Sequence, residues 1–393
     1  MIAYNVQPLA QQNLTGIGNY ANDVLKNLLP ITKEHELHVF DFLSRNGAPN
    51  IVKSHLGDSF VGENLHTIKS LPLSVYIRMG KLGRVIPYNV LTSSNADLTV
   101  FFNYLAPAGL KGKNIITIYD MVCERYPETM DDRNRKLLQR HLQKSADSAS
   151  AIVTISEFSK REVMELLKVP EEKIFVAHCG VDSSFYNPSS SEQITLEEKR
   201  YLADKWNLDR YVFYVGTLEP RKNTKVLVEA FNKFAKDYPD VKLVLAGGVG
   251  WHAEDTLAAI DNSEFKDRIV RPGYITNEEK RIFLRNAQVF VFPSIYEGFG
   301  MPVTEAMACG TPCVIADTSS LPEASLGLVP KVNPHDAQGF ANEITRILDN
   351  GISEDKRKEL IVGGASFSWT KAADVYAEAT KYVLNTSKGM DAV

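Results

Sequence analysis

Two glutamates flank a glycine-rich stretch in the second half of the chain, and their types and spacing could do chemistry. Glu297 is followed by Gly298 and Gly300, and Glu305 comes shortly afterwards. Carboxylates accept hydrogen bonds from vicinal hydroxyls, which sugars and riboses both offer. Glycines let a ligand approach the backbone, and free amides at a helix start favour a phosphate. The segment predicts a sugar-nucleotide site; a helix start with a stabilising glutamate is the alternative.

A pair of adjacent cations, Arg221 and Lys222, lies between a predicted strand and a predicted helix. The macrodipole disfavours positive charge at a helix start, so that a bound anion explains the pair better than helix stability does. We expect both side chains to stabilise a departing diphosphate, and an exposed basic pair on a solvated turn is the alternative. With Glu297 and Glu305, they are expected to converge across a crevice between two domains.

A third candidate lies near the start of the chain, where Gly16 and Gly18 separate an opening strand from a helix. The pair is compatible with a phosphate-approaching loop and equally with an ordinary turn. It is not the six-residue dinucleotide fingerprint, and no Walker-type Gly-Lys-Ser/Thr occurs, which disfavours an NAD enzyme or a P-loop NTPase. No Asp-x-Asp pair occurs to hold a divalent ion on a sugar nucleotide. We therefore expect no metal and no other cofactor, with side chains supplying the positive charge.

The bulk composition limits the classes of protein. A chain of 393 residues exceeds what one hydrophobic core usually serves, which predicts two domains. A formal net charge of −4 argues against a protein that coats nucleic acid, because such a protein needs a basic excess. We find neither an export signal nor an apolar run long enough for a membrane helix. The 4 cysteines are too few for a disulfide framework, so that we expect buried thiols and a cytoplasmic location.

The elements that must position these residues are strands and helices in alternation. Apolar runs at 151–155, 211–215, 241–246 and 289–292 each precede a turn and then a helical pattern. A helix is expected to open near Ser156. This alternation is typical of parallel sheets, whose ligands bind beyond the carboxyl ends of the strands.

The polar stretch 187–192 has the composition of a linker, and it divides the chain into halves that can each bury a core. The predicted fold is α/β, with two doubly wound, Rossmann-like domains facing a central cleft. The predicted boundaries are 1–188 for the first domain, 189–369 for the second and 370–393 for a final helix.

At this point Glu297 and Glu305 resemble the Glu-x7-Glu motif of the retaining GT-B glycosyltransferases of family 4. The resemblance covers nearly the whole chain and is strongest from residue 211 to 323. It implies a GT-B fold with acceptor binding mainly in the first domain, donor binding in the second and a last helix crossing back to the first. The segments that carry it are 16–20, 126–128, 155–160, 180–182, 219–223, 246–248, 273–274, 319–323 and 367–369.

The resemblance also implies roles for individual residues. Glu305 would hold the donor ribose and Glu297 the hydroxyls of the transferred sugar, while amides around Gly300 would bind sugar and phosphate and the region of Tyr274 would bind the base. The expected catalytic residues are Glu297, Arg221, Lys222 and Asp120. The expected substrate-binding residues are Gly16, Gly18, Tyr119, Gly273, Tyr274, Ile275, Gly298, Phe299, Gly300, Met301 and Glu305.

Three departures from the family pattern affect these assignments. Tyr119 stands where family members commonly carry a histidine that contacts the transferred sugar. Thr217 stands where many relatives have arginine, so that Arg221 would carry more of the diphosphate contact. The segment 326–330 is shorter and less glycine-rich than usual, which we interpret as a loop difference.

The predicted function is a retaining hexosyltransferase that moves mannose from GDP-mannose to a glycan or lipid-linked acceptor in surface polysaccharide biosynthesis. Alternatives are a GT-B-type sugar-nucleotide epimerase or hydrolase and a non-catalytic nucleotide-sugar-binding subunit. Arg78, Lys81 and Arg84 recur among apolar residues in 71–91. This pattern favours either peripheral contact with the inner face of a membrane or an ordinary helix with one basic face. No nucleic-acid partner is expected.

Overall fold

The computed structural model divides the chain into two compact units. The first comprises Met1–Glu124, Arg133–Gly180 and Trp369–Val393, and the second comprises Arg125–Asp132 and Val181–Ser368. The main segment of the second unit thus starts at Val181, earlier than the expected boundary after residue 188, and the short segment Arg125–Asp132 also belongs to it. The structure describes residues 1–42, 47–60, 64–73, 75–76, 79, 86–107, 109–186 and 192–386.

Two sequence hypotheses fall partly outside these ranges. Arg78, Lys81 and Arg84, on which the idea of membrane contact rests, lie outside the described residues, as does the linker stretch 187–191. None of the described helices combines the length and the apolar character needed to cross a bilayer.

The strands predicted from apolar runs are confirmed, and their bounds differ from the predicted ones by at most one or two residues. The strands of the described chain are β1 (Ile2–Asn5), β2 (His35–Phe40), β3 (Leu65–Ile68), β4 (Leu98–Phe101), β5 (Lys113–Ile118), β6 (Ala151–Thr154), β7 (Ile174–Val176), β8 (Arg210–Val215), β9 (Val241–Ala246), β10 (Ile269–Gly273), β11 (Val289–Phe292), β12 (Cys313–Ala316) and β13 (Lys331–Val332).

Helices separate most of these strands, as the alternating pattern predicts. The α-helices of the described chain are α1 (Gly16–Leu28), α2 (Ala48–Leu56), α3 (Tyr88–Thr92), α4 (Val122–Arg125), α5 (Asp132–Ser148), α6 (Glu157–Leu167), α7 (Ser183–Tyr186), α8 (Glu192–Trp206), α9 (Thr224–Phe234), α10 (Glu254–Asp261), α11 (Asn277–Asn286), α12 (Met301–Ala308), α13 (Leu321–Ala324), α14 (Ala337–Asn350), α15 (Glu354–Ala365) and α16 (Trp369–Asn385).

The first unit is built on a parallel sheet with the strand order β3-β2-β1-β4-β5-β6-β7. Ser156 caps α6 by accepting a hydrogen bond from the Ser159 amide at 2.9 Å, which confirms the predicted helix start. The final helix α16 belongs to this unit, and its Tyr376 hydroxyl lies 2.8 Å from Oγ1 of Thr117 on β5. Trp369, its first residue, packs edge-on against Tyr20 of α1.

The second unit repeats this plan with the strand order β10-β9-β8-β11-β12-β13, again with parallel pairing. Every residue of β11 and β12 is buried, as expected for strands covered on both faces. The chain winds outward from β8 through β9 to β10 and then returns to β11 on the other side of β8. The carboxyl ends of β8 and β11 therefore flank the topological switch point, where open parallel sheets bind their ligands.

Two neighbouring glycines lie in the loop after β9, which packs closely against the loop after β8. Gly247 has φ +129°, and a Cβ built there would lie 2.0 Å from the Gly216 carbonyl oxygen. A Cβ at Gly248 would meet open space. The Gly216 amide donates to the Ala246 carbonyl oxygen at 2.9 Å, so that the two loops are held at the same edge of the sheet. Only the first glycine is required by this close approach.

We predict that Gly247→Ala lowers the free energy of unfolding by about 2–4 kcal/mol, because it adds backbone strain to a steric overlap. Gly248→Ala is the matched control and should change that free energy by less than about 0.5 kcal/mol. Urea denaturation followed by circular dichroism measures both. Equal effects of the two substitutions would contradict the tight approach of the loops.

Candidate functional site

The two loops at the switch point of the second unit are joined directly to each other. The Ile295 amide, in the loop after β11, donates to the Arg221 carbonyl oxygen at 2.8 Å. The Asn223 side chain donates to the Pro293 carbonyl oxygen at 3.1 Å. Arg221 and Lys222 lie in the 3-10 turn Pro220–Lys222, and α9 begins only after them. Both cations thus lie between β8 and α9, as predicted, in a 3-10 turn that precedes α9 and not in the first turn of α9 itself.

A compact ion cluster forms where these loops meet. Lys222 Nζ lies 2.6 Å from Glu297 Oε1, and Arg221 Nη1 donates to Glu297 Oε2 at 3.0 Å. The other guanidinium nitrogen of Arg221 donates to Glu219 Oε1 at 2.8 Å. The exposed fractions of the Arg221, Lys222 and Glu297 side chains are 17%, 15% and 10%. The cluster is thus partly shielded from solvent, and carboxylates hold both cations in place.

The electrostatics of the cluster keep Glu297 ionised. Burial alone raises the pKa of this carboxyl group, but the positive charges of Lys222 and Arg221 and the hydrogen bond from Lys222 outweigh burial and lower that pKa to about 2. Burial lowers the pKa of the Lys222 ammonium group, against the opposing effect of Glu297. The result is an ion pair at the edge of the sheet.

The glycine-rich turn between β11 and α12 is fixed by side chains from the next loop. Ser320 Oγ lies 2.9 and 2.8 Å from the carbonyl oxygens of Glu297 and Phe299, and its single hydroxyl hydrogen is shared between them. Gly300 has φ +113° and precedes α12, which begins at Met301 without a side-chain cap. The Phe299 ring is buried and packs edge-on against Phe367, so that Phe299 can offer a ligand its backbone groups and not its ring.

Glu305 lies within α12, as the sequence predicts, but its partners differ from those of Glu297. Its Oε1 accepts hydrogen bonds from Lys280 Nζ at 2.7 Å and from the Tyr186 hydroxyl at 2.9 Å. All four charged residues expected to converge across a crevice between domains belong to the second unit. The structure brings Arg221 and Lys222 together with Glu297, whereas Glu305 pairs with Lys280.

Sequence reasoning missed Glu219, Lys280 and Tyr186. Lys280 and Glu305 lie on different helices, and Tyr186 ends a short helix far upstream in the chain. No spacing rule links such positions, because the hydrogen bonds arise only when α7, α11 and α12 pack together. Glu219 is two residues before Arg221 in the sequence. This proximity to the basic pair was the one signal that could have identified Glu219 as its partner.

The expected base-binding residues lie at the carboxyl end of β10, two strands away from β8. The Gly273 carbonyl oxygen accepts a hydrogen bond from the Gly247 amide at 2.7 Å, and Gly273 has φ +77°. Tyr274 is 82% exposed, which leaves its ring free to pack against a planar ligand, whereas Ile275 is buried.

In the first unit, Gly16 and Gly18 lie in the first turn of α1 and not in a loop before it. The Thr15 hydroxyl caps this turn by accepting from the Gly18 amide at 3.4 Å. A Cβ at Gly18 would lie 3.0 Å from the Pro8 carbonyl oxygen, whereas one at Gly16 would meet open space. Packing explains Gly18, while Gly16 keeps an accessible backbone.

Tyr119 and Asp120 follow β5, and their side chains make contacts within the first unit. The Tyr119 hydroxyl donates to the Phe102 carbonyl oxygen at 3.3 Å, and its ring packs against Tyr20 and Tyr104. Asp120 Oδ1 accepts from the Tyr104 hydroxyl at 3.0 Å. Tyr119 is 6% exposed, and its hydroxyl faces the protein interior. We had expected this side chain to contact the donor sugar.

All four cysteines are buried and none is in a disulfide, and burial is what the sequence predicts for Cys309 and Cys313. Across the described ranges, no group of three or more His, Cys, Asp or Glu side chains has an arrangement that could hold a metal ion.

Comparison with known families divides the chain at nearly the same place as its two units. Residues 14–185 match the model described as Glycosyltransferase Family 4. Residues 201–365 match the model described as Glycosyl transferases group 1. The two matches follow each other along the chain without overlap and together cover most of it.

Two curated relatives from Escherichia coli show how far the similarity extends. The O-antigen chain mannosyltransferase B is 28% identical over 381 residues, covering 94% of this chain and 96% of that protein. The serotype-specific mannosyltransferase WbdA is 26% identical over 292 residues, covering 71% of this chain but only 35% of that longer protein.

Solved structures share the fold. Anabaena Alr3699/HepE in complex with UDP and glucose superposes with a TM-score of 0.70 at 16% identity, covering 97% of this chain and 99% of that one. WaaG, a glycosyltransferase involved in lipopolysaccharide biosynthesis, superposes with a TM-score of 0.67 at 12% identity, covering 98% of each chain.

We predict that Glu297→Gln lowers the free energy of unfolding at pH 7 by about 2 kcal/mol, because two largely buried cations lose their charged partner. The pKa of about 2 in the folded protein lies below the ordinary value of 4.5. The stabilisation is therefore complete above about pH 4.5 and is lost as the pH falls toward 2.

The difference in urea midpoint between wild type and Glu297→Gln should accordingly shrink over that pH window. Glu343→Gln is the matched control, because Glu343 pairs with Arg346 at the surface. A difference for Glu297→Gln that stays constant from pH 6 to pH 2 would show that the cluster does not hold this carboxylate ionised.

Proposed function

The chain belongs to the GT-B glycosyltransferases, with a family 4 domain followed by a group 1 domain, and we propose that it transfers mannose from GDP-mannose. The acceptor is a glycan or a lipid-linked molecule, and the configuration at the sugar C1 is retained. The observation that carries this proposal is the contact of Arg221 and Lys222 with Glu297 at the switch point of the second sheet. The reaction requires no metal ion, and the protein works in the cytoplasm, in surface polysaccharide biosynthesis.

The two cations stabilise the leaving group. As the bond between the sugar C1 and the phosphate oxygen lengthens, negative charge grows on the departing diphosphate. Arg221 and Lys222 are held by Glu297 and Glu219 and need little reorganisation to meet that charge. The first amides of α12 add further donors. The acceptor hydroxyl attacks C1 from the face that the diphosphate leaves, and its proton departs with the diphosphate.

Glu297 has a second task in this scheme, which is to orient the transferred sugar. An ionised carboxylate is an acceptor only, and its pKa of about 2 keeps it ionised throughout the physiological range. When the donor binds, Glu297 keeps both cations in place and accepts hydrogen bonds from sugar hydroxyls, while the remaining N–H groups of Arg221 and Lys222 donate to the diphosphate. Gly273 to Ile275, at the carboxyl end of β10, line the position of the base.

We propose mannose as the transferred sugar because similar proteins are named mannosyltransferases. The O-antigen chain mannosyltransferase B of Escherichia coli matches this chain over nearly its full length, and WbdA is also named a mannosyltransferase. Support for UDP-glucose comes from Alr3699/HepE, whose solved complexes contain UDP and glucose, but its identity to this chain is much lower. We therefore place GDP-mannose first.

The proposal predicts turnover of GDP-mannose in the presence of EDTA, with α-configured product from the α-configured donor. Purified protein is incubated with GDP-mannose or UDP-glucose and a mannose-terminated acceptor, and the product anomer is assigned by NMR. Turnover only with UDP-glucose would refute the donor assignment, and a β-linked product would refute retention. Free epimer or free sugar formed without acceptor would favour an epimerase or hydrolase, and stoichiometric binding without turnover would favour a binding subunit.

Lys222→Ala is expected to lower kcat/KM by about 10²–10³-fold, by analogy with the removal of one oxyanion-hole donor, which costs about 2.7–4 kcal/mol. Steady-state release of the nucleoside diphosphate measures this change. Lys225→Ala is the matched control, because Lys225 is 49% exposed and lies 3.6 Å from Asp255 outside the cluster. A loss of less than about threefold for Lys222→Ala in a folded protein would remove Lys222 from the mechanism.

A further inference from the structure

One carboxylate in the second unit is hydrogen-bonded on one oxygen alone. The Glu305 side chain is 7% exposed, and both of its donors, Lys280 Nζ and the Tyr186 hydroxyl, point at Oε1. Within the described ranges, no side-chain or backbone donor lies at hydrogen-bond distance from Oε2. The two oxygens of a single carboxylate therefore have different surroundings.

This asymmetry is unfavourable unless something else donates to Oε2. A buried polar atom without a partner costs about 1–3 kcal/mol, and more when the group is charged. Lys280 and Tyr186 both donate to Oε1, so that neither donor serves Oε2. A ligand hydroxyl that donates a hydrogen bond to Oε2 would remove this free-energy cost.

The positions of the two donors are themselves fixed by local structure. Asp182 Oδ1 accepts from the amides of Ser184 and Phe185, both at 3.1 Å, and so orders the short helix α7 that ends at Tyr186. A capping box of Thr276 and Glu279 begins α11 immediately before Lys280. Both donors are thus presented by ordered helix termini.

The donors also contact each other. Lys280 Nζ lies 5.7 Å from the centre of the Tyr186 ring, within range of a cation–π interaction. Removing either residue should therefore loosen the other and let the Glu305 carboxylate rotate. A rotated carboxylate would offer its oxygens interchangeably and lose a fixed direction for ligand binding.

We propose that Tyr186 and Lys280 are positioning residues that hold the Glu305 carboxylate with Oε2 directed at the donor ribose, so that the site discriminates ribonucleotides from deoxyribonucleotides. The proposal rests on the proposed function, because it takes the ligand of Glu305 to be the ribose of a nucleotide sugar. The new element is that discrimination between ribose and deoxyribose depends on Tyr186 and Lys280, which need not touch the ligand.

The test measures binding and not turnover. GDP, UDP and the 2′-deoxy and 3′-deoxy forms of each are titrated calorimetrically into wild type, Tyr186→Phe and Lys280→Met. Wild type should bind the ribonucleotide at least tenfold more tightly than one of the deoxy forms. Tyr186→Phe should reduce that ratio at least fivefold and leave the affinity for the deoxy form within twofold of wild type.

Matched controls separate positioning from general damage. Tyr238→Phe removes a similar hydrogen bond, which Tyr238 donates to Asp349 at 2.6 Å on the surface, and it should leave the ratio unchanged. Lys280→Met should act like Tyr186→Phe, and Lys280→Arg should restore most of the ratio because it keeps the charge. If Lys280→Met fails to fold, Tyr186→Phe, which removes one hydroxyl and no charge, carries the test.

Two outcomes would overturn the proposal. One is a wild-type ratio near one, which would mean that Glu305 does not contact the ribose. The other is an equal loss of affinity for ribo and deoxy forms in a folded Tyr186→Phe protein, which would make Tyr186 merely structural. Transferase assays on the wild type decide the proposed function separately, since a chain that discriminates ribose without turnover would refute the transferase and retain the positioning role.

Discussion

A partly buried negative charge held between two positive charges is the constraint on which the candidate site depends. Glu297 comes from the loop after β11, and Arg221 and Lys222 come from the loop after β8, so that their ion pairs tie two separate loops together. The backbone bond from Ile295 to Arg221 closes the same junction. Charges held in this way are preorganised, because folding has already ordered them.

The topology of the second sheet explains why this junction occurs where it does. The strand order reverses beside β8, and the helices that follow β8 and β11 leave on opposite faces of a doubly wound sheet. The loops that lead into those helices start from neighbouring strands, so that Arg221 of one loop meets Ile295 and Glu297 of the other at the carboxyl edge. The first unit repeats the order around β1 and β4, which places Gly16 of α1 at the corresponding edge. Both units thus present candidate residues at equivalent positions of the same architecture.

Much of the fold was predictable because local patterns determine it. The runs that form β8, β9 and β11 are apolar on both faces, and such runs are stable only as covered, parallel strands. Ser156 caps α6 through a hydrogen bond to a nearby amide, which a local sequence pattern can signal. The position of Glu305 inside α12 was likewise correct. Arg221 and Lys222 lie between β8 and α9, as predicted, but they belong to a 3-10 turn, and Asn223 with φ +54° follows that turn before α9 begins at Thr224.

The amino-acid sequence by itself determined the βα alternation, the two-domain plan and the charged residue types near the ends of β8 and β11. Only the tertiary structure decided which side chains pair. Glu297 forms ion pairs with Arg221 and Lys222, whereas Glu305 pairs with Lys280 and accepts a hydrogen bond from Tyr186. It also decided that the hydroxyl of Tyr119 faces inward. The physical reason is that side-chain pairing depends on distance in space, and residues far apart in the chain become neighbours only after sheets and helices have packed.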